Sequence, residues 1–84
     1  MAVHFHPHAK ERMEERGATE REVILAVQDG ERFPARFKRI GFRYNFPFEG
    51  KWRGKHYYTK QVEVYVIQEK DTDWLVLTVI CRYF

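Results

Sequence analysis

Apolar residues recur along the chain with two different periods. Between Pro7 and Gly30 they stand three or four positions apart, which is typical of helices packed on one face. From Ile40 onwards they stand at every second position, which is typical of strands with one buried face. The sequence therefore predicts helices first and strands afterwards, which is an α+β fold.

Local start and stop signals divide the helical part into two short helices. Pro7 suits the first position of a helix and Gly17 suits the left-handed residue that ends one, so a first helix is predicted over residues 7–16. Thr19 and Glu22 have the spacing of a capping box, which begins a second helix, and the next glycine ends it.

Three later segments show the alternation of strands. They cover residues 40–48, 62–66 and 74–83, and the last is apolar on nearly both faces, which favours a central position in the sheet. A weaker strand is predicted over residues 31–37, interrupted by a proline. The predicted architecture is two helices packed on one face of an antiparallel sheet of three or four strands, in a single domain over residues 1–84.

Strict alternation in the last segment also predicts which of its side chains share a face. One face is mixed and the other is wholly apolar, and the apolar set is Leu75, Leu77, Val79, Cys81 and Tyr83. We therefore expect Cys81 to be a buried, unreactive thiol.

The composition indicates a small globular protein without disulfides. A chain of 84 residues buries roughly 60% of its unfolded surface, so a large enclosed catalytic cavity is not expected. A single cysteine excludes an internal disulfide, and the sequence has neither the apolar run of a signal peptide nor that of a membrane span. The sequence thus predicts a cytoplasmic protein that does not enter membranes.

Positive charge is concentrated in the middle third of the chain. The net charge is +3, yet residues 32–60 carry nine Lys or Arg residues against Glu49 alone. Such a segment suits a polyanion such as RNA, or an acidic protein partner. The alternative is a solvated basic sheet edge that discourages aggregation.

His8, Arg12 and Arg16 are spaced four residues apart on the first predicted helix. At about 100° per residue they form one stripe within an arc of about 80°. Two arginines four residues apart repel each other by roughly 0.2–0.5 kcal/mol, so a partner should offset the pair. One alternative is a carboxylate, and the candidates are Asp71, Asp73, Glu63 and the C-terminus at Phe84. The other is a phosphate, which a guanidinium binds in a bidentate way, with His8 as a general base.

The segment HAKERMEERGATEREVILAVQDGE resembles the small prokaryotic family catalogued as domain of unknown function forty-two fifty-eight. The matching elements are a His-x-x-x-Arg-x-x-x-Arg-Gly helix, a second helix introduced by Ser or Thr, and a Thr-Val pair in the last strand. They correspond here to His8, Arg12, Arg16, Gly17, Thr19 and the VLTVI of residues 76–80. That family is similar to the RelE/ParE/BrnT-like toxins, so the resemblance implies a metal-independent ribonuclease and an antitoxin-like acidic partner.

The segment GKWRGKHYYTK, residues 50–60, interleaves basic and aromatic residues. Cations for phosphates beside rings for unpaired bases are the pattern of single-stranded nucleic-acid binding. The residues predicted to bind nucleic acid, here and on the neighbouring strands, are Arg39, Arg43, Lys51, Trp52, Arg53, Lys55, Tyr57, Tyr58 and Arg82. The alternative is that half of these rings pack into the core or into a homodimer interface.

Three histidines alternate near the N-terminus, His4, His6 and His8, and an extended chain could bring them to one zinc ion. Pro7 breaks the alternation by starting a helix, and no cysteine or carboxylate close by completes a familiar zinc pattern. We therefore predict no metal and no cofactor.

Two function hypotheses follow from these patterns. In the first, the protein is an endoribonuclease that works by transesterification: His8 activates the ribose 2′-hydroxyl, and Arg12 and Arg16 stabilise charge on the phosphate. His56 or a nearby tyrosine then protonates the leaving oxygen. In the second, the protein is a non-catalytic module that binds nucleic acid or another protein, and the arginine stripe is a salt-bridged structural feature.

Overall fold

The structure is a computed structural model that describes residues 2–70 and 72–84. Over these residues the chain forms two helices and five strands. Their bounds are β1 (Val3–Phe5), α1 (Pro7–Arg16), α2 (Glu20–Asp29), β2 (Glu31–Pro34), β3 (Ile40–Trp52), β4 (Lys55–Glu69) and β5 (Asp73–Tyr83). The predicted α+β class is confirmed.

Both predicted helices form, and local signals set their ends. At the start of α1, Nδ1 of His6 accepts the backbone N–H of His8 at 3.1 Å, which satisfies one free donor of the first turn. At its end Gly17 adopts a φ of 78°, the left-handed conformation that glycine tolerates best. The complete capping box at Thr19 begins α2, as predicted.

The sheet differs from the prediction in size and in one pairing. Its order is β1-β5-β4-β3-β2, and β1 runs parallel to β5 whereas the other neighbours are antiparallel. The prediction of three or four antiparallel strands was therefore wrong about β1. Three residues are too few to show an alternation, and β1 is a strand because Trp74 donates to the carbonyl of Ala2 and His6 donates to that of Val76.

The hairpin of β3 and β4 is longer than its sequence pattern indicates. β3 continues to Trp52 and β4 begins at Lys55, so the turn between them has two residues. These are Arg53 and Gly54, both with positive φ, 51° and 83°. Two consecutive left-handed residues match the twist of the flanking strands, which lets the ladder run to the tip.

The core lies between the helices and one face of the sheet. Its buried apolar side chains are Ala9, Met13, Val23, Ala26, Val27, Phe42, Val62, Val64, Val66, Trp74, Val76 and Val79. The three β4 valines alternate along the strand, so one face of β4 points to the helices. The other face is covered by neither described helix; we call it the open face.

A β-bulge in β5 divides the apolar face predicted for this strand. Tyr65 pairs with Thr78 and the next β4 residue pairs with Val76, so Leu77 is the extra residue. Because one extra residue reverses the alternation, Val76 and Val79 are both buried on the helix side. The prediction that Leu75 and Leu77 share a face with Val79 was therefore wrong, although Cys81 does pack against the core.

Candidate active site

The stripe on α1 divides between two environments. Nε of Arg12 donates to Nε2 of His8 at 3.3 Å, and Nη1 of Arg12 lies 3.1 Å from a carboxylate oxygen of Glu15. One turn later, Nη1 of Arg16 donates to the backbone carbonyl of Val79 at 2.7 Å. His8 and Arg12 therefore form a pair, and Arg16 points away from them to β5.

Arg16 fastens α1 to the outer edge of β5. Val79 lies beyond the three β5 residues that pair with β1, so its carbonyl takes a side-chain donor instead of a strand. In return the hydroxyl of Tyr83 donates to the carbonyl of Arg16 at 2.8 Å. These two hydrogen bonds give Arg16 a structural role, the attachment of α1 to β5.

The carboxylates proposed as partners of the stripe serve other groups. Glu63 binds Arg43 and Arg82, and Asp73 lies 3.7 Å from Nε2 of His4. The backbone oxygen of the C-terminal residue accepts two N–H groups of β4, and Asp71 lies outside the described residues. The carboxylate beside Arg12 is Glu15, on its own helix.

His8 and Arg12 open into a cleft of about 520 Å³. It is lined by His6, His8, Arg12, Arg39, Leu77 and Thr78, and none of these described residues is acidic. Three elements meet there: the start of α1, the loop before β3 and the bulge of β5. The extra residue of the bulge and the end of β1 leave room for the cleft beside the first turn of α1.

The hydrogen bonds of the two cleft histidines determine which ring nitrogen of each carries the proton. They therefore determine which histidine can donate to a ligand and which can accept from it. Nδ1 of His6 accepts the N–H of His8, so a neutral His6 carries its proton on Nε2 and can donate it. Nε2 of His8 accepts from Arg12, so a neutral His8 has its lone pair on Nε2, while its Nδ1 lies 3.9 Å from Glu11. The cleft thus contains one histidine acceptor and one histidine donor.

Most aromatic rings of the long hairpin are held by the fold. Trp52 stacks on Tyr83 with ring centroids 5.0 Å apart and planes 14° from parallel. Phe48 and Tyr57 also contact Tyr83, at 5.2 Å and 5.8 Å. Arg53 donates to the carbonyl of Glu15 at 2.9 Å and lies over the Trp52 ring. Arg53 therefore joins the hairpin to the end of α1, and Trp52 and Tyr57 join it to Tyr83 of β5.

The structure does not bring His56 to His8. His56 lies on the hairpin beside the exposed Tyr58, with ring centroids 5.1 Å apart. The hairpin reaches α1 at its last turn, whereas His8 lies in the first turn of that ten-residue helix. Lys51 pairs with His56 across the hairpin, and Lys55 follows the turn, so both are also remote from the cleft.

Arg43 and Arg82 bind one buried carboxylate on the open face. Glu63 accepts Nε of Arg43 at 3.0 Å, Nη1 of Arg82 at 2.6 Å and the hydroxyl of Tyr65 at 2.7 Å. Burial alone raises the pKa of Glu63, but the hydrogen bonds from Tyr65 and Arg43 and the two cationic charges outweigh it, so the pKa is lowered. The hydrogen bond from Arg43 to Glu63 raises the pKa of Arg43 in turn.

Of the residues predicted to bind nucleic acid, Arg39 is the one that lines the cleft with His8 and Arg12. From the sequence, His6 was weighed only as a zinc ligand and assigned to no site, so its place in the cleft was missed. Its position as the N-cap of a helix that carries His8 was the available signal. Leu77 and Thr78 had no such signal, because the bulge that exposes them depends on pairing with β4.

Two structural features bear on metals and membranes. Within residues 2–70 and 72–84, no three His, Cys, Asp or Glu side chains are grouped so as to hold a metal ion. In the same part of the chain no helix has the length and apolar character needed to cross a membrane.

Comparison with known proteins adds no relative: the chain matches no protein-family model, no curated protein and no solved structure. A functional assignment therefore depends on the chemistry of the cleft.

Proposed function

We propose that this protein is an endoribonuclease that cleaves RNA in the cleft at the start of α1. The observation that carries the proposal is the composition of this cleft: two histidines with complementary hydrogen-bonding roles, two arginines, and no acidic side chain among its described lining residues. Arginines suit a phosphate, and paired histidines suit proton transfer on either side of it.

The reaction is a transesterification. As Arg12 turns its guanidinium to the phosphate, Nε2 of His8 takes the proton of the ribose 2′-hydroxyl, and that oxygen attacks the adjacent phosphorus. Arg12 and Arg39 stabilise the charge that develops on the phosphoryl oxygens. The bond from phosphorus to the 5′-oxygen breaks, and Nε2–H of His6 in its imidazolium form protonates that oxygen, which leaves His6 neutral. In the imidazolium form Nδ1 of His6 carries a proton and no longer accepts the N–H of His8. The products are a 2′,3′-cyclic phosphate and a 5′-hydroxyl.

His6 takes the role of general acid in this proposal because it lines the same cleft as His8, whereas His56 lies on the remote hairpin. Glu11, 3.9 Å from Nδ1 of His8, stabilises the imidazolium that forms when His8 accepts the proton. Arg16 acts as a structural residue. The reaction uses side chains alone, without a metal.

The decisive experiment is incubation of mixed single-stranded and structured RNA with the protein in the presence of a chelator. The wild type should give fragments ending in a 2′,3′-cyclic phosphate. We expect His8→Ala to slow cleavage about 100-fold or more and Arg12→Ala by a similar factor, since each removes a group that acts in the transition state. Lys10→Ala, an exposed cation on the same helix, is the matched control and should cleave normally. Equal cleavage by His8→Ala would remove His8 from the mechanism.

A specific observation also favours a second candidate, a module that binds RNA without cutting it. Arg12 is paired with Glu15 and Arg16 with the Val79 carbonyl, so both arginines of the stripe already have protein partners. This candidate predicts intact RNA and an affinity whose logarithm falls by about 0.7 per bound phosphate for each tenfold rise in salt.

The resemblance to the RelE/ParE/BrnT-like toxins stays a prediction, as does the acidic, antitoxin-like partner that it implies. The basic residues of the loop over 35–39 and of the β3–β4 hairpin suit such an acidic partner as well as RNA. The cytoplasmic location and a homodimer likewise remain predictions.

A further inference from the structure

A second, larger cavity of about 620 Å³ adjoins the cleft on the open face of the sheet. Its aromatic walls are Phe33, Phe37 and Tyr65, and Arg36, Arg39 and Thr78 complete much of its rim. We propose that this cavity binds an unpaired nucleobase of a single-stranded RNA whose neighbouring phosphate lies in the cleft. The inference rests on the proposed function, because it places the substrate of that same site.

The floor of the cavity is the ring of Phe33, which lies against the sheet at Gly41. Phe33 lies over Gly41, where an added Cβ would overlap the ring, so a glycine at this β3 position gives Phe33 its place. Tyr65 meets Phe33 edge to face, with centroids 6.0 Å apart, and the guanidinium of Arg43 covers Phe33 at 4.6 Å. The hydrogen bond from Tyr65 to Glu63 fixes the second ring. The floor is therefore preorganised.

The outer wall is an aromatic side chain that the fold leaves in water. Phe37 is 83% exposed, the most exposed large hydrophobic residue of the described chain. Its φ is 59° and that of Lys38 is 60°, so two successive non-glycine residues adopt the left-handed conformation. The N–H of Ala35 donates to the carbonyl of Arg39, and the N–H of Arg39 donates to that of Arg36, which closes this loop. The described part of the fold covers little of the Phe37 ring. A base stacked against it would shield this ring from water.

The charge of the cavity favours a nucleotide over an apolar side chain. Arg36 and Arg39 are the charged residues of its described lining, and neither has a carboxylate partner in the described contacts. Aromatic walls with a cationic rim match a planar ring attached to a phosphate.

The cavity and the cleft are neighbours that share two lining residues. Arg39 and Thr78 line both of them, so a strand that places a phosphate between Arg12 and Arg39 has its adjacent base beside Tyr65 and Phe37. This geometry requires an unpaired base, because a base in a duplex cannot leave its partner to enter the cavity without loss of pairing. The substrate class is therefore single-stranded RNA or an RNA loop.

The test measures binding separately from cleavage. A short 2′-O-methyl RNA lacks the attacking hydroxyl, so its affinity can be measured without turnover. We expect Phe37→Ala to bind this RNA about tenfold more weakly than the wild type, the effect of losing one stacked base. An RNA duplex and a strand of abasic sugar-phosphate should bind both proteins equally. Phe84→Ala, which removes another exposed aromatic ring, is the matched control and should bind like the wild type.

The outcomes separate this inference from the proposed reaction. If ordinary RNA is cut and Phe37→Ala neither binds nor cuts less well, the base site is wrong and the nuclease stands. If RNA remains intact but Phe37→Ala binds more weakly, the base site stands and the nuclease fails. If the wild type has no affinity for RNA, both fail. If Phe37→Ala instead converts a dimer into a monomer in sedimentation, a second copy occupies the cavity and the base site is overturned.

Discussion

At the scale of single residues, Glu63 shows how a charge is kept inside a small protein. It is 3% exposed in the middle of the sheet, yet each of its carboxylate oxygens accepts a hydrogen bond. Arg43 and Arg82 reach it from the two neighbouring strands, and both guanidiniums remain partly in water. Only the Glu63 carboxylate is therefore fully removed from water, whereas the two guanidiniums keep part of their hydration. This lowers the desolvation cost of the buried charge.

This arrangement predicts a loss of stability in acid. The pKa of Glu63 is lower in the folded protein than its ordinary value of 4.5, so its stabilising effect is complete above that value and is lost as the pH falls through the lower folded pKa. Glu63→Gln should reduce the free energy of unfolding by roughly 2 kcal/mol at pH 7, because two guanidiniums lose their carboxylate. Urea unfolding should show this difference shrinking at pH 3.

Glu14→Gln, on the exposed side of α1, is the control for this pH series and should keep the acid sensitivity of the wild type. A difference between Glu63→Gln and wild type that does not change with pH would contradict the ionised, hydrogen-bonded state of Glu63.

At the scale of elements, the corner between α1 and α2 holds the long hairpin in place. Lys60, 5% exposed, donates to the Gly17 carbonyl and to Glu22, so one buried ammonium joins β4 to both helices. The ring of Trp52 closes over Gly17 and stacks on Tyr83. Several of the basic and aromatic residues of this hairpin therefore stabilise the fold, an alternative that the sequence left open.

Two glycines with similar φ allow the steric part of this contact to be measured. Gly17 and Gly54 have φ of 78° and 83°, but an added Cβ would lie 2.7 Å from the Trp52 ring at Gly17 and would meet nothing within 4 Å at Gly54. Gly54→Ala should cost about 1 kcal/mol for the left-handed backbone alone. Gly17→Ala should cost about 1–2 kcal/mol more, with Trp52 displaced. Thermal unfolding with tryptophan fluorescence measures both; equal costs would mean that Trp52 does not restrain the corner.

At the scale of the whole molecule, the fold distributes the basic middle third of the chain to two distant places. The loop of residues 35–39 lies beside the cleft, whereas the hairpin tip around Lys51 and Lys55 lies by the far end of α1. The molecule measures 41 × 24 × 22 Å, so an RNA strand in the cleft would have to extend along the molecule to reach the tip at the other end of α1. The two basic segments are therefore not equivalent for RNA.

Charge reversal separates their contributions. The double variant Arg36→Glu and Lys38→Glu should weaken RNA binding at least about tenfold and lower the salt slope by about 0.7 for each phosphate that the variant no longer binds. Lys51→Glu with Lys55→Glu should have a clearly smaller effect on affinity and on cleavage rate. Titrations at several salt concentrations measure both quantities. A larger effect at the hairpin would favour the hairpin-centred binding surface that the sequence alone predicts.

The features predicted correctly from sequence depend on neighbouring residues. Pro7, Gly17 and the Thr19 capping box act within one helical turn, so both helices could be located without knowledge of the rest of the fold. The alternation in β3 and β4 reflects one buried face, which the predicted apolar residues of these two strands do form. His8 and Arg12 could likewise be grouped, because a spacing of four residues places them together on any helix.

The features that sequence missed depend on pairing between distant segments. β1 is a strand only because β5 offers a parallel edge, and Leu77 is a bulge only because β4 pairs on both sides of it. The same pairing brings Arg39 and Thr78 to the first turn of α1 and directs Arg16 to a backbone carbonyl. The sequence by itself determined the helices, the buried faces of β3 and β4 and the His8–Arg12 pair, since their causes are local. Tertiary structure alone forms the cleft and its adjoining cavity. Strand register and loop closure bring their residues together, and the spacing of these residues along the chain does not predict that they meet.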